Sequence, residues 1–247
     1  RPDALVRNST ARAGDALAIG AAGLFLLLPL GAVLGQGLAA VGGLSAGVWL
    51  AAGRSIAVAL CSTALAVGLA LPVAHLIARG RTWLEAVMAL TISVSPLVIG
   101  TGLFLILFPL TDPVALALPV TAFVNALVAL PFVLRGLVPA LAEAEASQGR
   151  LAEALGMTGW TRFRLAILPR LRRPLGFGAG LAAAFSMGDL GVIALFSAPG
   201  QATLPMEMYR LMGSYRTDDA EGAAVLLTLL ALGLFWLFDR GGRLDVR

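Results

Sequence analysis

The sequence contains no lysine, and it has very few of the other residues on which most enzyme chemistry depends. Its 247 residues include one histidine, His75, and one cysteine, Cys61. Without lysine the chain has neither a Walker A motif nor a Schiff-base residue. A single cysteine excludes a disulfide within the chain, and one His with one Cys leaves no zinc cluster. We therefore expect no metal site, and we interpret Cys61 as a small buried apolar residue.

Charged residues are also scarce. They make up 13% of the sequence, hydrophobic residues make up 59%, and the mean hydropathy is +0.90. In a soluble domain about a quarter of the residues are charged. The composition therefore predicts a membrane protein, and the chain is long enough for several spans of about 20 residues.

Six apolar segments have the length of a membrane-spanning helix, about 17–25 residues each. They predict an all-α polytopic protein with six transmembrane helices over residues 16–238. The third and fourth segments are separated only by a short turn around Asp112. The segments are Ala16–Leu38, Ser55–Ala78, Ala86–Leu110, Val114–Leu134, Leu175–Phe196 and Gly222–Phe238.

The arginines predict the orientation of these segments. If the N-terminus is cytoplasmic, 15 arginines lie on the cytoplasmic side, and only Arg54, Arg210 and Arg216 lie on the other. The N-terminal segment 1–15, the loop 143–174 and the tail 239–247 are then cytoplasmic, and the loop 197–220 is periplasmic. This distribution explains the arginine excess by topology, so we expect no nucleic-acid partner. Because the sequence starts at Arg1 with a polar stretch, we expect segment 1–15 to be a linker from an upstream half.

Both long loops carry apolar residues at helical spacing. In loop 143–174 the spacing predicts two short amphipathic helices, the first ended by Gly156 in a left-handed cap and the second ended by Pro169. In loop 197–220 it predicts one short surface helix. The spaced residues are Leu151, Leu155, Trp160, Phe163 and Ile167 in the first loop, and Leu204, Met208, Leu211, Met212 and Tyr215 in the second.

Polar residues inside the spans are candidates for a transport path. Asp189 lies in the fifth apolar segment, where a carboxylate usually faces a cavity or a partner. Asp189 either lines a path or caps a local helix break. Asn125 either lines the path or joins two helices by a hydrogen bond. A proton-coupled carrier that uses Asp189 is an alternative. The arginines Arg170, Arg172 and Arg173 either anchor the topology at anionic lipid or contact an acidic partner.

A serine-hydrolase interpretation is weak. The segment Gly43–Gly47 matches the G-x-S-x-G pattern around Ser45. Its triad would need His75, which the topology places on the other side of the membrane, about 30 Å away. We therefore expect a transport subunit and no enzyme.

The loop 143–174 resembles the EAA loop of ABC-importer permeases. That pattern is E-A-A, three residues, G, and I-x-L-P after nine more. Gly156, Trp160, Phe163, Leu168 and Pro169 stand at the family offsets. Arg150, Leu151 and Ala152 stand in place of E-A-A, and Ala166 stands in place of the isoleucine.

The resemblance implies that this loop is a coupling helix docked on an ATPase subunit. The coupling residues would be Ala152, Glu153, Gly156, Met157, Trp160, Phe163, Leu168 and Pro169. It further implies a second permease half, fused upstream or separate, two ATPase subunits that bind ATP and Mg²⁺, and a periplasmic binding protein. This chain would bind no cofactor and would lie in the bacterial inner membrane.

Within that family the chain is most similar to the C-terminal half of thiamine-importer permeases. The similar stretches are 123–137, 155–175, 186–196 and 203–220, with Gly213–Arg216 favouring thiamine. The resemblance implies import of thiamine or its phosphates, with Tyr209, Arg210, Tyr215 and Arg216 facing the binding protein. Iron(III), a polyamine or an oxyanion is the alternative cargo.

Overall fold

The computed structural model describes residues 9–81, 83–112, 114–196 and 200–243, and those residues form helices and connecting turns without a strand. The prediction of an all-α fold is confirmed. The helices are α1 (Ser9–Ala40), α2 (Ala46–Ala78), α3 (Trp83–Ser93), α4 (Pro96–Leu107), α5 (Ala117–Ala154), α6 (Gly159–Arg162), α7 (Leu168–Gly188), α8 (Gly191–Phe196), α9 (Leu204–Gly213) and α10 (Thr217–Arg243). A 3₁₀ turn at Val41–Gly43 follows α1, and a π-helical turn at Phe163–Ile167 joins α6 to α7.

Four of these helices are long and apolar enough to cross a membrane. They are α1, α2, α5 and α10, and α3 with α4 makes a fifth if the bent pair is counted as one span. The chain is thus a multi-span protein, and the count of six stays a prediction.

The third predicted segment, Ala86–Leu110, is not one straight helix. Its helices α3 and α4 meet at an angle of 94°. Ser95, between them, has an extended backbone (φ −63°, ψ 135°), and Pro96 is the first residue of α4. Proline lacks the N–H of a continuous helix and disfavours the helical conformation of the residue before it, so the break falls at Pro96.

The fifth predicted segment, Leu175–Phe196, is also divided. Helix α7 begins in the arginine-rich stretch before it and ends at Gly188, where Asp189 becomes extended (ψ 123°). The short helix α8 then resumes at Gly191. The break places an ionisable residue between two helices rather than within one.

Helices α2, α5 and α7 form the centre of the bundle. Their small residues, such as Ala70, Ala126 and Ala182, are fully buried and surround larger side chains such as Leu137 and Leu171. Helix α10 covers α7 at close range, since an added Cβ at Gly176 would lie 2.7 Å from the Cα of Gly242. The outer helix α1 packs on α10. Cys61 lies on an exposed side of α2, so the prediction that it is buried was wrong.

The predicted surface helix of loop 197–220 is confirmed as α9. It lies at the N-terminal end of α2, where Leu204 and Leu211 pack against Val48 and Leu44. The hydroxyl of Ser55 accepts a hydrogen bond of 2.7 Å from the backbone N–H of Leu204. Residues 197–199 of this loop lie outside the described residues.

Candidate coupling surface and membrane cavity

The loop 143–174 is not a pair of separate short helices, and that prediction was wrong. Helix α5 continues without interruption from the apolar segment to Ala154. After a turn, α6 and the π-helical turn lead directly into α7. The polar segment is therefore built from the ends of two long helices, which connect it rigidly to the centre of the bundle.

Gly156 makes the turn at the end of α5, as predicted. Its φ is +68°, and the N–H of Met157 donates a hydrogen bond of 2.8 Å to the carbonyl of Ala152. This is the pattern of a left-handed helix cap, in which glycine avoids a steric cost. A Cβ added at Gly156 would meet nothing within 4 Å, so the turn is open to the outside.

An aromatic pair follows the turn. The rings of Trp160 and Phe163 are stacked with centroids 5.4 Å apart and an interplanar angle of 27°. Phe163 packs against the central core, whereas Trp160 is 69% exposed. The inner ring thus supports the outer one, which leaves a large apolar surface available to another molecule.

The remaining predicted coupling residues differ in accessibility. Ala152 is buried, and Met157 and Leu168 are half-buried. The side chain of Glu153 lies outside the described residues. Pro169 does not end a helix, because it occupies the first turn of α7, where a missing N–H costs nothing.

A cleft of about 530 Å³ lies beside the aromatic pair. In its wall, Nδ1 of His75 is 3.3 Å from Oε1 of Glu145, which links α2 to the extension of α5. Arg79 and Arg162 line the same cleft. The sequence did not predict this pair, because His75 lies inside the second predicted segment and Glu145 lies in the loop that follows the fourth.

A second cavity, of about 270 Å³, lies at the break between α7 and α8. The two candidate pathway residues, Asn125 and Asp189, both line it. The amide nitrogen of Asn125 donates a hydrogen bond of 3.1 Å to the hydroxyl of Ser186 on α7, and Asn125 also interacts with the carboxylate of Asp189. The structure therefore brings together the two residues that the sequence selected separately. It also shows that Asp189 accepts hydrogen bonds from the backbone of Gly191 and Val192, as a helix cap does.

The four residues proposed for binding-protein contact lie at the end of α9. Tyr209 and Tyr215 are exposed, and the arginines are held in local ion pairs, Arg210 with Glu207 at 3.0 Å and Arg216 with Asp219 at 2.6 Å. Tyr215 has a φ of +59°, which is unusual for an aromatic residue. The exposed rings, rather than free arginines, dominate this surface.

These two surfaces lie at opposite ends of α2. Val48, near its start, contacts α9, and His75, near its end, contacts the extension of α5. A helix rises 1.5 Å per residue, so the two points are about 40 Å apart. The same geometry separates Ser45 from His75 and excludes the hydrolase triad.

The chain is thus a multi-span helical protein with an exposed tryptophan near one end of α2 and exposed tyrosines near the other. Residues 62–243 match the family described as binding-protein-dependent transport system inner membrane component. The chain belongs to this family, which consists of multi-pass inner-membrane permeases, and the predicted relation to ABC-importer permeases is confirmed.

Three relatives illustrate the similarity. The chain is 38% identical over 241 residues to the thiamine transport system permease protein ThiP of Brucella abortus (strain 2308), covering 94% of this chain and 44% of that protein. It is 34% identical over 198 residues to the ThiP of Haemophilus influenzae, covering 76% and 36%. It is also 34% identical over 174 residues to the chloroplastic sulfate permease 2 of Chlamydomonas reinhardtii, covering 65% and 47%. The chain thus spans less than half the length of the relatives it matches.

Proposed function

We propose that the chain is one half of the membrane path of an ATP-driven importer, and that its cargo is thiamine or a thiamine phosphate. The observation that supports this choice of cargo is the similarity over 94% of the chain to a protein named as a thiamine permease. A second half, fused upstream or separate, would complete the path.

The surface around Gly156 and Trp160 would receive an ATPase subunit. An exposed tryptophan supported by a partly buried ring is the type of residue that contributes most to protein interfaces. Because α5 and α7 run from this surface into the core, movement of the ATPase subunit would reach the membrane helices directly. ATP and Mg²⁺ would bind to two such subunits, and this chain would catalyse no bond chemistry.

The surface formed by Tyr209, Arg210, Tyr215 and Arg216 would receive the periplasmic binding protein. Its mixed charge and tyrosines suit a transient contact. The two termini and the Gly156 turn would then be cytoplasmic, in agreement with the arginine distribution.

Asn125 and Asp189 would line the path between these surfaces. The similarity to a sulfate permease makes an oxyanion the second candidate cargo. The carboxylate of Asp189 would oppose the passage of an anion by like-charge repulsion. Thiamine is therefore preferred.

Uptake of labelled thiamine into proteoliposomes tests this function. The permease would be reconstituted with its other half, the ATPase subunits and the binding protein, with ATP inside the vesicles. We expect uptake only when ATP and the binding protein are both present. If uptake followed a proton gradient and ignored ATP, the chain would be a secondary carrier.

Two tryptophan variants assign the ATPase surface in the same vesicles. Trp160→Ala should lower the affinity for the ATPase subunit by roughly 30-fold, which is about 2 kcal/mol and usual for an interface tryptophan. Trp49→Ala is the control, because Trp49 is 51% exposed but lies at the other end of α2. Equal ATPase affinity in both variants would remove Trp160 from the coupling surface.

A further inference from the structure

The cavity at the break between α7 and α8 contains an unusual carboxylate. The residues around it are apolar or aromatic, apart from Asn125. Oδ2 of Asp189 is buried and has no hydrogen-bond partner among the described residues, and no ion pair found there includes Asp189. Asp189 as a whole is half-buried, and a carboxylate oxygen that lacks both water and a cation is costly. Such a group points to a positively charged ligand.

An aromatic pair forms another wall of the same cavity. Phe132 on α5 and Phe185 on α7 meet edge to face, with ring centroids 5.0 Å apart at 61°. Aromatic faces attract cations, and the attraction increases where water is excluded. Phe185 is 44% exposed, so the cavity has one accessible side.

The polar side of the cavity is held in place. The amide of Asn125 is buried and bridges Ser186 and Asp189, and the backbone of Gly191 and Val192 holds the carboxylate as well. A carboxylate fixed in this way keeps its position when a ligand arrives. The arrangement therefore has the properties of a preformed site rather than of a flexible surface charge.

We propose that this cavity binds a flat organic cation, with Asp189 as its counter-charge and the rings of Phe132 and Phe185 as its stacking wall. This proposal rests on the proposed function and deepens it, because the thiazolium ring of thiamine carries a permanent positive charge. Asp189 is thereby a residue that touches the cargo in addition to capping α8. Asn125 is a positioning residue that orients the carboxylate.

A cysteine in the cavity measures its charge preference without relying on transport. Gly188 lines the cavity, and a Cβ added there would meet nothing within 4 Å. The variant Gly188→Cys would be made in the complete permease after replacement of Cys61 and of any cysteine in the other half. Its labelling rates with a trimethylammonium and a sulfonate methanethiosulfonate reagent would be compared. Thr111→Cys, in an exposed turn far from α7 in sequence, is the control thiol, and it would be combined with Asp112→Asn so that no carboxylate stands next to it in the sequence.

We expect the ratio of cationic to anionic labelling to be roughly tenfold higher at position 188 than at position 111, since a nearby charge in a partly dry site acts strongly. Asp189→Asn should bring the two ratios together. Thiamine should slow labelling at position 188, and Phe185→Leu should reduce this protection, whereas Phe123→Leu, on the same helix as Phe132 but outside the cavity, should not. If Gly188→Cys fails to fold, Val128→Cys replaces it, because Val128 lines the same cavity.

An equal ratio at the two positions, a ratio unaffected by Asp189→Asn, or a cavity thiol that neither reagent reaches would overturn the cation site. Cation preference with no thiamine uptake in the wild-type vesicles would retain the site and reject thiamine as cargo. Thiamine uptake without a cation preference at position 188 would retain thiamine as the cargo and reject the cation site. The failure of either proposal is therefore distinguishable from the failure of the other.

Discussion

At Gly156, backbone conformation rather than packing decides which residues are accepted. Its φ of +68° lies in the left-handed region, and there is space for a side chain within the chain itself. Asparagine and aspartate enter this region more readily than other residues with side chains. The position can therefore be changed while the turn is retained, so an effect on coupling can be separated from an effect on folding.

We expect Gly156→Asp to preserve folding but to reduce both thiamine uptake and stimulated ATPase activity by at least about tenfold, because a charge would be buried in the proposed interface. Gly156→Asn should lose less, since it has similar size without the charge. Gly80→Asp is the matched control, as Gly80 also has a positive φ (+92°) and free space but lies in another turn. Coupling activity in Gly156→Asp equal to that in Gly80→Asp would contradict the assignment.

Among the helices, the contact between α7 and α10 depends on glycine. A Cβ at Gly176 would lie 2.7 Å from the carbonyl oxygen of Phe238, and one at Gly180 would lie 2.9 Å from that of Phe235. These neighbours are backbone atoms, which move only if the helix moves. Glycine is too frequent in the chain for the sequence alone to show which positions require it.

Gly176→Leu should therefore destabilise the protein by about 1–3 kcal/mol, the usual cost of overpacking. At about 2–4 °C per kcal/mol, the apparent melting temperature in detergent should fall by roughly 2–12 °C. Gly233→Leu, on α10 with nothing within 4 Å of its Cβ, should leave it unchanged or raise it slightly, since leucine favours helix. Equal melting temperatures for the two variants would disprove the close contact.

The sequence predicted the helices best where hydrophobicity and helix coincide, as in α10, which contains the whole of the sixth predicted segment. It failed where they do not. The apolar segment of α5 ends near Leu134, but the helix continues through Pro139 to Ala154 and stops only before the left-handed turn at Gly156. Hydropathy reports where a segment meets water, not where its hydrogen bonding stops.

Only the local parts of the candidate site could be predicted from the sequence. Gly156 and Trp160 were found because the pattern is local. The link between His75 and Glu145 joins residues that are 70 positions apart, so only tertiary packing brings them to 3.3 Å. For the same reason the sequence named Asn125 and Asp189 singly, without the aromatic wall that gives their cavity its character.

For the molecule as a whole, the arrangement around α2 relates the two proposed partner surfaces to each other. The N-terminal part of α2 contacts α9 through the hydrogen bond between Ser55 and Leu204. Its C-terminal part contacts the end of α5 through His75 and Glu145. Helix α5 passes the cavity at Asn125 on the way to the Gly156 turn. Events at either end would therefore reach the cavity through rigid helices rather than through flexible loops.

The surface at the end of α9 contains a residue whose cost to stability points to a role in docking. Tyr215 follows the end of α9, where the N–H of Arg216 donates a hydrogen bond of 3.0 Å to the carbonyl of Leu211. This is the left-handed position that usually holds glycine, yet it carries a tyrosine that is 93% exposed. The ring makes too little contact within the chain to repay the strain of about 1 kcal/mol.

Tyr215→Gly should consequently stabilise the permease slightly, by up to about 1 kcal/mol, while weakening its function. The concentration of loaded binding protein that half-maximally stimulates the ATPase should rise by roughly tenfold, since an exposed tyrosine is a common interface anchor. Tyr215→Phe keeps the ring and should remain near wild type in both measurements. If Tyr215 contacts the binding protein, Tyr215→Gly must raise the stability of the permease and weaken docking at the same time. A tyrosine retained only to shape the turn would instead leave the half-maximal concentration unchanged in Tyr215→Gly.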